Sequence, residues 1–255
     1  MGARSVEIHP LGGIGEVRPG EILEDLLVAA LDEAGLTVTG HDILVVTSKI
    51  VSKAEGRFVD LATVQPGDEA RHLAEITRKD ARLVELVLGE SASVVRAVPH
   101  VLITRHRLGL VMANAGIDQS NLGNTMGDQV LLLPLDPDRS ANRLRAALSK
   151  RFGAAPAIVI SDSFGRPWRH GVVNIAVGAS GLPALLDRRG ERDRDGRVLE
   201  VTQIALGDMI ATAAGLVCGE GDESIPAALV RGYQWSGESF PATSLVRPPE
   251  QDLFR

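Results

Sequence analysis

The sequence predicts a mixed α/β fold in which helices and strands do not alternate regularly, and not a doubly wound parallel sheet. The chain has 255 residues, 44% of them hydrophobic. This is enough for one large α/β domain, or two small ones, with a sizeable core. Short β-branched runs stand beside segments with helical periodicity. Because strict strand–helix–strand repetition is missing, a composite α+β architecture is favoured.

Apolar residues at helical spacing predict four helical segments, in chain order residues 22–31, 71–88, 141–152 and 202–217. Gly35 and Gly153 follow the first and third segments, at positions where glycine commonly ends a helix. Compact or β-branched apolar runs predict the strands, in chain order residues 6–9, 43–46, 94–103, 108–112, 131–133, 157–160 and 227–231. A turn with Gly12, Gly13 and Gly15 separates the first strand from the first helix.

Residues 1–238 are predicted to form one domain, and residues 239–255 a linker or C-terminal extension. The tail contains three prolines and shows little periodicity. Within the domain, eight of the ten residues from 188 to 197 are charged, and both signs are mixed. That composition predicts a solvated hairpin or loop.

The composition argues against several classes of protein. A formal net charge of −6 without a basic cluster argues against nucleic-acid binding, and an aromatic content of 3% argues against base-stacking platforms. Cys218 is the single cysteine, so an internal disulfide is excluded and a reducing cytoplasm is predicted. The first ten residues lack a signal-peptide pattern, and no apolar run reaches about 18 residues, so no membrane span is predicted.

Two aspartates lie just beyond the ends of predicted buried strands. Asp118 is followed by Ser120 and Asn121, and Asp162 is followed by Ser163. Ligand sites in α/β folds gather at strand ends, and paired carboxylates with a hydroxyl suit Mg²⁺ or Mn²⁺. Each aspartate could instead cap a turn, which leaves a purely structural alternative open.

Two further segments indicate phosphate binding, although the sequence lacks both a phosphate loop and a dinucleotide-binding turn. The glycine-acid loop, defined here as residues 218–225, offers backbone amides for phosphate and Glu220 for a cation. Its glycines could equally serve only to end the preceding helix. After the second strand, Ser48 offers a hydrogen-bond donor and Lys53 a phosphate-facing cation. The alternative is a strand end with surface lysines.

Taken in order, these segments resemble the coenzyme F420-0:γ-glutamyl ligase family. The residues that carry the resemblance are 47–56, 113–121, 161–169 and the glycine-acid loop, and their order and spacing hold from about residue 6 to about residue 232. The resemblance implies that residues 1–238 form a ligase domain with the composite fold of that family, usually as an intertwined homodimer. The tail from Arg247 resembles a junction to a nitroreductase-like, flavin-binding domain in two-domain relatives. Such a domain, fused or separate, is therefore an expected partner.

The resemblance also implies the roles of individual residues. Lys53, Asp118 and Asp162 are implied to be catalytic. One divalent ion is implied at Asp118 and Asp162, and a second at Ser163 and Glu220. GTP is implied to contact a larger set, namely Ile14, Gly15, Glu16, Val17, Ser48, Lys53, Asn121, Cys218, Gly219, Glu220, Gly221, Asp222, Glu223, Ser224 and Ile225.

The chain departs from some relatives at three of these positions. They have threonine where Ser163 stands, an amide where Glu220 aligns, and often a proline in the first turn, where this chain has Gly15. A hydroxyl replacing a hydroxyl is a mild change. A carboxylate replacing an amide adds negative charge, so the largest effect on metal preference is expected at Glu220.

The activity that the resemblance implies is the addition of L-glutamate to coenzyme F420-0 by γ-linked amide bonds. GTP and two divalent ions, Mg²⁺ or Mn²⁺, are implied, with an acyl-phosphate intermediate and release of GDP and phosphate. A requirement for K⁺ and the number of glutamates added stay open. Two alternatives remain: a metal-dependent ligase or phosphoryl transferase acting on another carboxylic acid, and a non-catalytic nucleotide- or deazaflavin-binding module.

Overall fold

The computed structural model of the chain describes residues 5–123 and 128–252. Its strands are β1 (Glu7–Leu11), β2 (Ile43–Thr47), β3 (Phe58–Asp60), β4 (Ser91–Val98), β5 (Val101–His106), β6 (Val111–Ala113), β7 (Gln129–Leu131), β8 (Ala157–Arg166), β9 (Arg169–Ser180), β10 (Leu185–Asp187), β11 (Gln203–Ala205) and β12 (Ala227–Arg231). Its α-helices are α1 (Leu23–Glu33), α2 (Ser48–Ala54), α3 (Asp68–Thr77), α4 (Ala81–Gly89), α5 (Pro137–Phe152) and α6 (Leu206–Cys218). The predicted mixed α/β fold is confirmed. Among the described residues, no helix is long and apolar enough to cross a membrane.

The central element is a five-stranded mixed sheet in the order β1–β12–β2–β8–β9. The pair β2–β8 is parallel and the other pairs are antiparallel. The apolar run of β2 is continuous because both faces of the sheet are covered. Leu44 and Val46 pack into the core on one face, while Ile43 and Val45 pack into the core on the other.

Helices cover both faces of this sheet. On one face, Leu27 of α1 and Leu144 of α5 are fully buried in the first core. On the other face, Ile210 and Ala214 of α6 pack into the second core. The predicted helices at 22–31 and 141–152 are thus confirmed by α1 and α5, and the glycine predicted to end α5, Gly153, takes a left-handed conformation there.

A third core lies between the helix pair α3–α4 and the antiparallel sheet β4–β5–β6. The mostly helical segment predicted over 71–88 is confirmed by α3 and α4, with a break at Arg78, which has a φ of 55°. The Asp80 carboxylate accepts a hydrogen bond from the backbone N–H of Arg82 and starts the second helix. The single strand predicted over 94–103 is wrong. It is a hairpin whose turn contains His100 at a φ of 67°.

Two predicted elements have different limits in the structure. The strand predicted at 157–160 continues as β8 to Arg166 and turns back as β9, a strand that the periodicity did not predict. The helix predicted from 202 begins only at Leu206, after the short strand β11. The predicted strand at 227–231 is confirmed as β12, which lies inside the central sheet between β1 and β2.

The charged segment and the tail lie outside the central sheet. Residues 189–198 are exposed and include a bridge between Arg192 and Val198, as predicted for a solvated hairpin. The tail packs against the domain as far as the structure describes it. The backbone N–H groups of Ala242 and Thr243 donate to the Asp138 carboxylate at 2.7 and 3.2 Å. Residues 1–4 and 124–127 of the first predicted segment and residues 253–255 of the second lie outside the described residues.

A nearly buried carboxylate connects the third core to the rest of the molecule. Glu90 follows α4 and accepts hydrogen bonds from Arg57 at 2.9 Å and Arg107 at 3.1 Å, and His106 lies 3.5 Å away. Burial alone raises the pKa of Glu90. The nearby His106 ring and the charges of Arg57 and Arg107 outweigh burial and lower the pKa to about 2.

Glu90→Gln is expected to destabilise the protein by about 2 kcal/mol at neutral pH, because it removes charge-assisted hydrogen bonds. The pKa of Glu90 is lower in the folded state than in the unfolded state. Its contribution to the free energy of unfolding is therefore complete above the ordinary glutamate pKa of 4.5 and is lost as the pH falls through about 2. Urea unfolding in steps from pH 6.5 to 2.5 measures this difference. Glu75→Gln, at an exposed position on α3, serves as control. A difference that stays constant with pH would contradict the ionic role of Glu90.

Candidate active site

A cavity of about 1010 Å³ opens at the edge where the parallel strands β2 and β8 end. Residues from all four sequence segments and from the first glycine turn line it. The predicted site residues on its wall are Ile14, Gly15, Glu16, Ser48, Lys53, Asp118, Asn121, Asp162, Ser163, Cys218, Gly219, Glu220, Gly221, Asp222, Glu223, Ser224 and Ile225. Val17 is not brought to the cavity, because its side chain is 2% exposed and packs in the first core.

Asp162 lies in β8 directly after the last residue that pairs with β2, Ser161. Ser48 starts α2 directly after β2, and its hydroxyl donates to the Asp162 carboxylate at 2.7 Å. This contact follows from the register, which pairs Thr47 with Ser161. Burial raises the pKa of Asp162 to about 6. The bond from Ser48 opposes this rise, and the nearby charge of Asp118 adds to it.

Asp118 is the second carboxylate of the site. Its backbone is fixed by paired hydrogen bonds with Leu131, at 2.9 and 2.8 Å. Its carboxylate contacts the Lys49 ammonium at 2.7 Å and accepts from the N–H and hydroxyl of Ser120. Burial raises the pKa of Asp118, but Lys49 and Ser120 outweigh burial, so the pKa lies below its ordinary value. The site therefore holds one carboxylate that ionises easily and one that does not.

Lys53 lies on the inner side of α2 and is 4% exposed. Its ammonium pairs with the Glu16 carboxylate from the first glycine turn and donates to the Asn121 carbonyl oxygen at 2.8 Å. The Asn121 amide donates in turn to the carbonyl oxygen of Gly221 at 3.2 Å. These contacts join the first glycine turn, helix α2 and the glycine-acid loop around a single buried cation.

The glycine-acid loop begins where α6 ends. Gly219 has a φ of 72° and a ψ of −176°, a backbone conformation that residues with a Cβ rarely adopt, so glycine is favoured there. Glu220 accepts a hydrogen bond of 2.5 Å from the Ser163 hydroxyl. Burial raises the pKa of Cys218 to about 11, with a further contribution from Glu220. Cys218 is therefore a thiol at neutral pH and not a nucleophilic thiolate.

The donor set fits divalent ions bound jointly with a ligand. Asp118 raises the pKa of Asp162, and a cation between two such carboxylates would relieve their repulsion. Ser163 and Glu220 offer a hydroxyl and a carboxylate in direct contact. The described residues contain no group of three or more His, Cys, Asp or Glu side chains that could hold a metal by themselves. Water or ligand phosphates would therefore complete the coordination, as is common for Mg²⁺.

Lys49 and Asn174 lie on the cavity wall, although the sequence did not predict either of them as a site residue. Lys49 belongs to the segment 47–56 that carries the resemblance, but only the structure shows that it contacts Asp118. Asn174 on β9 donates to the Glu220 carboxylate at 2.9 Å. The sequence signal that could have identified Asn174 is the turn Arg166-Pro167-Trp168-Arg169. A hairpin at this turn places β9 beside β8, and its register puts Asn174 opposite Ser163.

Paired carboxylates, two lysines and a glycine loop around one large cleft are features of an enzyme of the mixed α/β class. The sequence profile of the F420-0:Gamma-glutamyl ligase family matches residues 13–232. A protein of Methanopyrus kandleri named Coenzyme F420:L-glutamate ligase is 44% identical over 260 residues, 100% of this chain and 99% of the relative. Proteins of the same name from Methanothermobacter thermautotrophicus and Methanocaldococcus jannaschii are 42% and 40% identical, over 95% and 84% of this chain and 96% and 84% of their own length. The chain belongs to the F420-0:γ-glutamyl ligase family, and it is a ligase.

Ser48→Ala is expected to raise the pKa of Asp162 further above about 6, because the hydroxyl that stabilises its carboxylate is lost. Carbon-detected NMR titration of the aspartate carboxyl groups measures this shift in the metal-free protein. Ser163→Ala is the matched control, since its hydroxyl bonds to Glu220 and not to Asp162. An Asp162 pKa that does not change in Ser48→Ala would show that the contact between Ser48 and Asp162 does not persist in solution.

Proposed function

We propose that this ligase joins L-glutamate to coenzyme F420-0 by γ-linked amide bonds, with GTP as the phosphate donor. The observation that carries the proposal is that all four segments of the family pattern line a single cleft. Relatives that match this chain almost end to end bear the name Coenzyme F420:L-glutamate ligase. The cytoplasm is the compartment in which we expect the reaction.

A carboxylate must be activated before an amine attacks it, because it is a poor electrophile. In the proposed first step, a carboxylate oxygen of F420-0 forms a bond to the γ-phosphorus of GTP. The bond from that phosphorus to the bridging oxygen breaks, and GDP leaves. In the second step, the glutamate amine attacks the acyl carbon, phosphate leaves with the C–O electron pair, and the amine loses a proton. Repetition on the γ-carboxylate extends the tail.

The residues of the chain have distinct roles in this proposal. The Lys53 ammonium is buried beside the glycine-acid loop, so it neutralises charge on the transferring phosphoryl group. The backbone amides of the glycine-acid loop and the first glycine turn bind the other phosphates. Asp118 and Asp162 would hold one divalent ion, and Ser163 and Glu220 a second. When bound, Mg²⁺ or Mn²⁺ supplies charge neutralisation at the phosphate oxygens.

The experiment is a mass-spectrometric assay with F420-0, L-glutamate, GTP and Mn²⁺, with GTP omitted as control. A GTP-dependent gain of one or more glutamyl units with formation of GDP is expected. Asp162→Ala is expected to lower turnover at least about a hundredfold, because a carboxylate facing the phosphoryl group is lost. Asp68→Ala, at an exposed position on α3, is the matched control.

Other outcomes of this assay are equally informative. GDP release without a change in the mass of F420-0 would indicate another carboxylic acid substrate. Binding without turnover would indicate a nucleotide- or deazaflavin-binding module. Full activity of Asp162→Ala at saturating Mn²⁺ would remove Asp162 from the proposed site.

The homodimer and the nitroreductase-like partner are also proposals. Helix α6 exposes Met209 and Leu216, which are 59% and 82% exposed and lie seven residues apart on one helix face. A second copy of the chain would remove this apolar surface from water. A nitroreductase-like domain, fused or separate, would join at the C-terminal tail.

Met209→Asp is expected to shift the protein from dimer towards monomer, because a charge on this face opposes burial against a second copy. Size-exclusion chromatography with light scattering measures the mass in solution. Val198→Asp, at an exposed apolar position in the charged segment, serves as control. If wild type and both variants run as monomers, the proposed dimer is wrong.

A further inference from the structure

Asn174 contacts both residues of the proposed second metal pair. It lies on β9 directly opposite Ser163 of β8. Its side-chain amide donates to one Glu220 oxygen at 2.9 Å and lies 3.4 Å from the Ser163 hydroxyl. The Ser163 hydroxyl donates to the other Glu220 oxygen at 2.5 Å. The Glu220 carboxylate is therefore held at both oxygens by two residues of the β8–β9 hairpin.

Helix α6 has a recess for this asparagine. The Thr212 hydroxyl donates to the backbone carbonyl oxygen of Asn174 at 2.7 Å and ties this point of β9 to the helix. Three residues further along the helix, a Cβ at Gly215 would lie 2.0 Å from the Asn174 side-chain oxygen. Any larger residue at position 215 must therefore displace the Asn174 side chain. Glycine is unfavourable inside a helix. The close approach of the Asn174 side chain is a physical reason for a glycine at position 215.

The glycine-acid loop has few other side-chain contacts across the cleft. Among the described residues, the other hydrogen bond that crosses the cleft to this loop is from the Asn121 amide to Gly221, at 3.2 Å. A hydrogen bond from a neutral donor to a carboxylate is stronger than one between neutral groups. The bonds from Asn174 and Ser163 to the Glu220 carboxylate are therefore stronger than the bond from Asn121, and together they fix the position of the loop.

We propose that Asn174, seated against Gly215, is a positioning residue that fixes Glu220 and the glycine-acid loop at the nucleotide side of the cleft. The structural part of this inference stands without the proposed function, and only its kinetic readout rests on it. Asn174 acts through Glu220 and the loop, so its loss lowers the fraction of enzyme in which the loop is ready to bind phosphate.

Two variants displace the same amide by different routes. Asn174→Ala removes the amide. Gly215→Ala keeps the asparagine in the sequence but places a methyl group where its side chain lies, so the side chain must move. Both variants are expected to speed hydrogen–deuterium exchange in a peptide covering residues 218–226 by about tenfold or more. This factor corresponds to the free energy of one hydrogen bond to a charged group, which both variants remove. Gly89→Ala is the matched control, because position 89 also lies in a helix and has open space around it.

Kinetics supply a second readout in the glutamate-addition assay. Both variants are expected to lower kcat/KM for GTP by about 10- to 100-fold. Most of this change is expected as a rise in KM, because binding of the nucleotide must then also order the loop. Gly215→Ala is expected to melt no lower than wild type, since alanine favours the helix. A functional loss with an unchanged or higher Tm separates displacement of Asn174 from general unfolding.

A swap of donor and acceptor tests the contact itself. Asn174→Asp places a carboxylate against Glu220 and is expected to loosen the loop more than Asn174→Ala does. Adding Glu220→Gln to this variant lets the new amide at position 220 donate to the new carboxylate at position 174. The double variant is expected to regain slow exchange in residues 218–226, whereas Glu220→Gln alone is not expected to protect the loop better than wild type.

The outcomes separate the two proposals. Exchange within twofold of wild type in both Asn174→Ala and Gly215→Ala, with both variants folded, would overturn the positioning role. Failure of the donor–acceptor swap to restore slow exchange would also contradict it. Loosened loops in a protein that adds no glutamate to F420-0 would keep the role of Asn174 and reject the proposed substrate.

Discussion

The parallel pairing of β2 with β8 is the constraint on which the rest of the site depends. Residues 43–46 of β2 and 157–161 of β8 are buried between the two cores, so the hydrogen bonds between the strands are shielded from water and their register is fixed. Parallel strands end at the same edge of a sheet. Ser48 and Asp162 consequently meet there. The neighbouring strands complete the opening, because the glycine-acid loop leads into β12 and Asn174 lies on β9.

The charges of the cleft are arranged in pairs across different segments. Lys49 contacts Asp118 and Lys53 contacts Glu16, while Asp162 has a hydroxyl partner instead of a cation. This difference explains why the pKa of Asp118 lies below its ordinary value while burial raises that of Asp162 to about 6. An added cation near Asp162 would reduce this imbalance, because the ammonium groups of Lys49 and Lys53 are already paired with other carboxylates.

Elements with strong local patterns were predictable, and elements that depend on distant contacts were not. The helices α1 and α5 and the strands β2 and β12 have enough apolar periodicity to be recognised. The break at Arg78 follows from a left-handed residue that periodicity does not reveal. Strand β9 has polar residues in its first half and small residues in its second half, and the small residues are buried only because β8 and α6 pack against them. Its absence from the prediction also left Asn174 unrecognised.

The sequence by itself determined the mixed fold class, the family and the four segments that form the cleft, because these depend on residue types and spacings along the chain. Only the tertiary structure decided which side chains meet: that Lys49 pairs with Asp118, that Val17 lies in the core, and that Asn174 faces Glu220 beside Gly215. The physical reason is that such contacts join residues separated by tens of positions. Their geometry is set by strand register and helix packing, which no local pattern encodes.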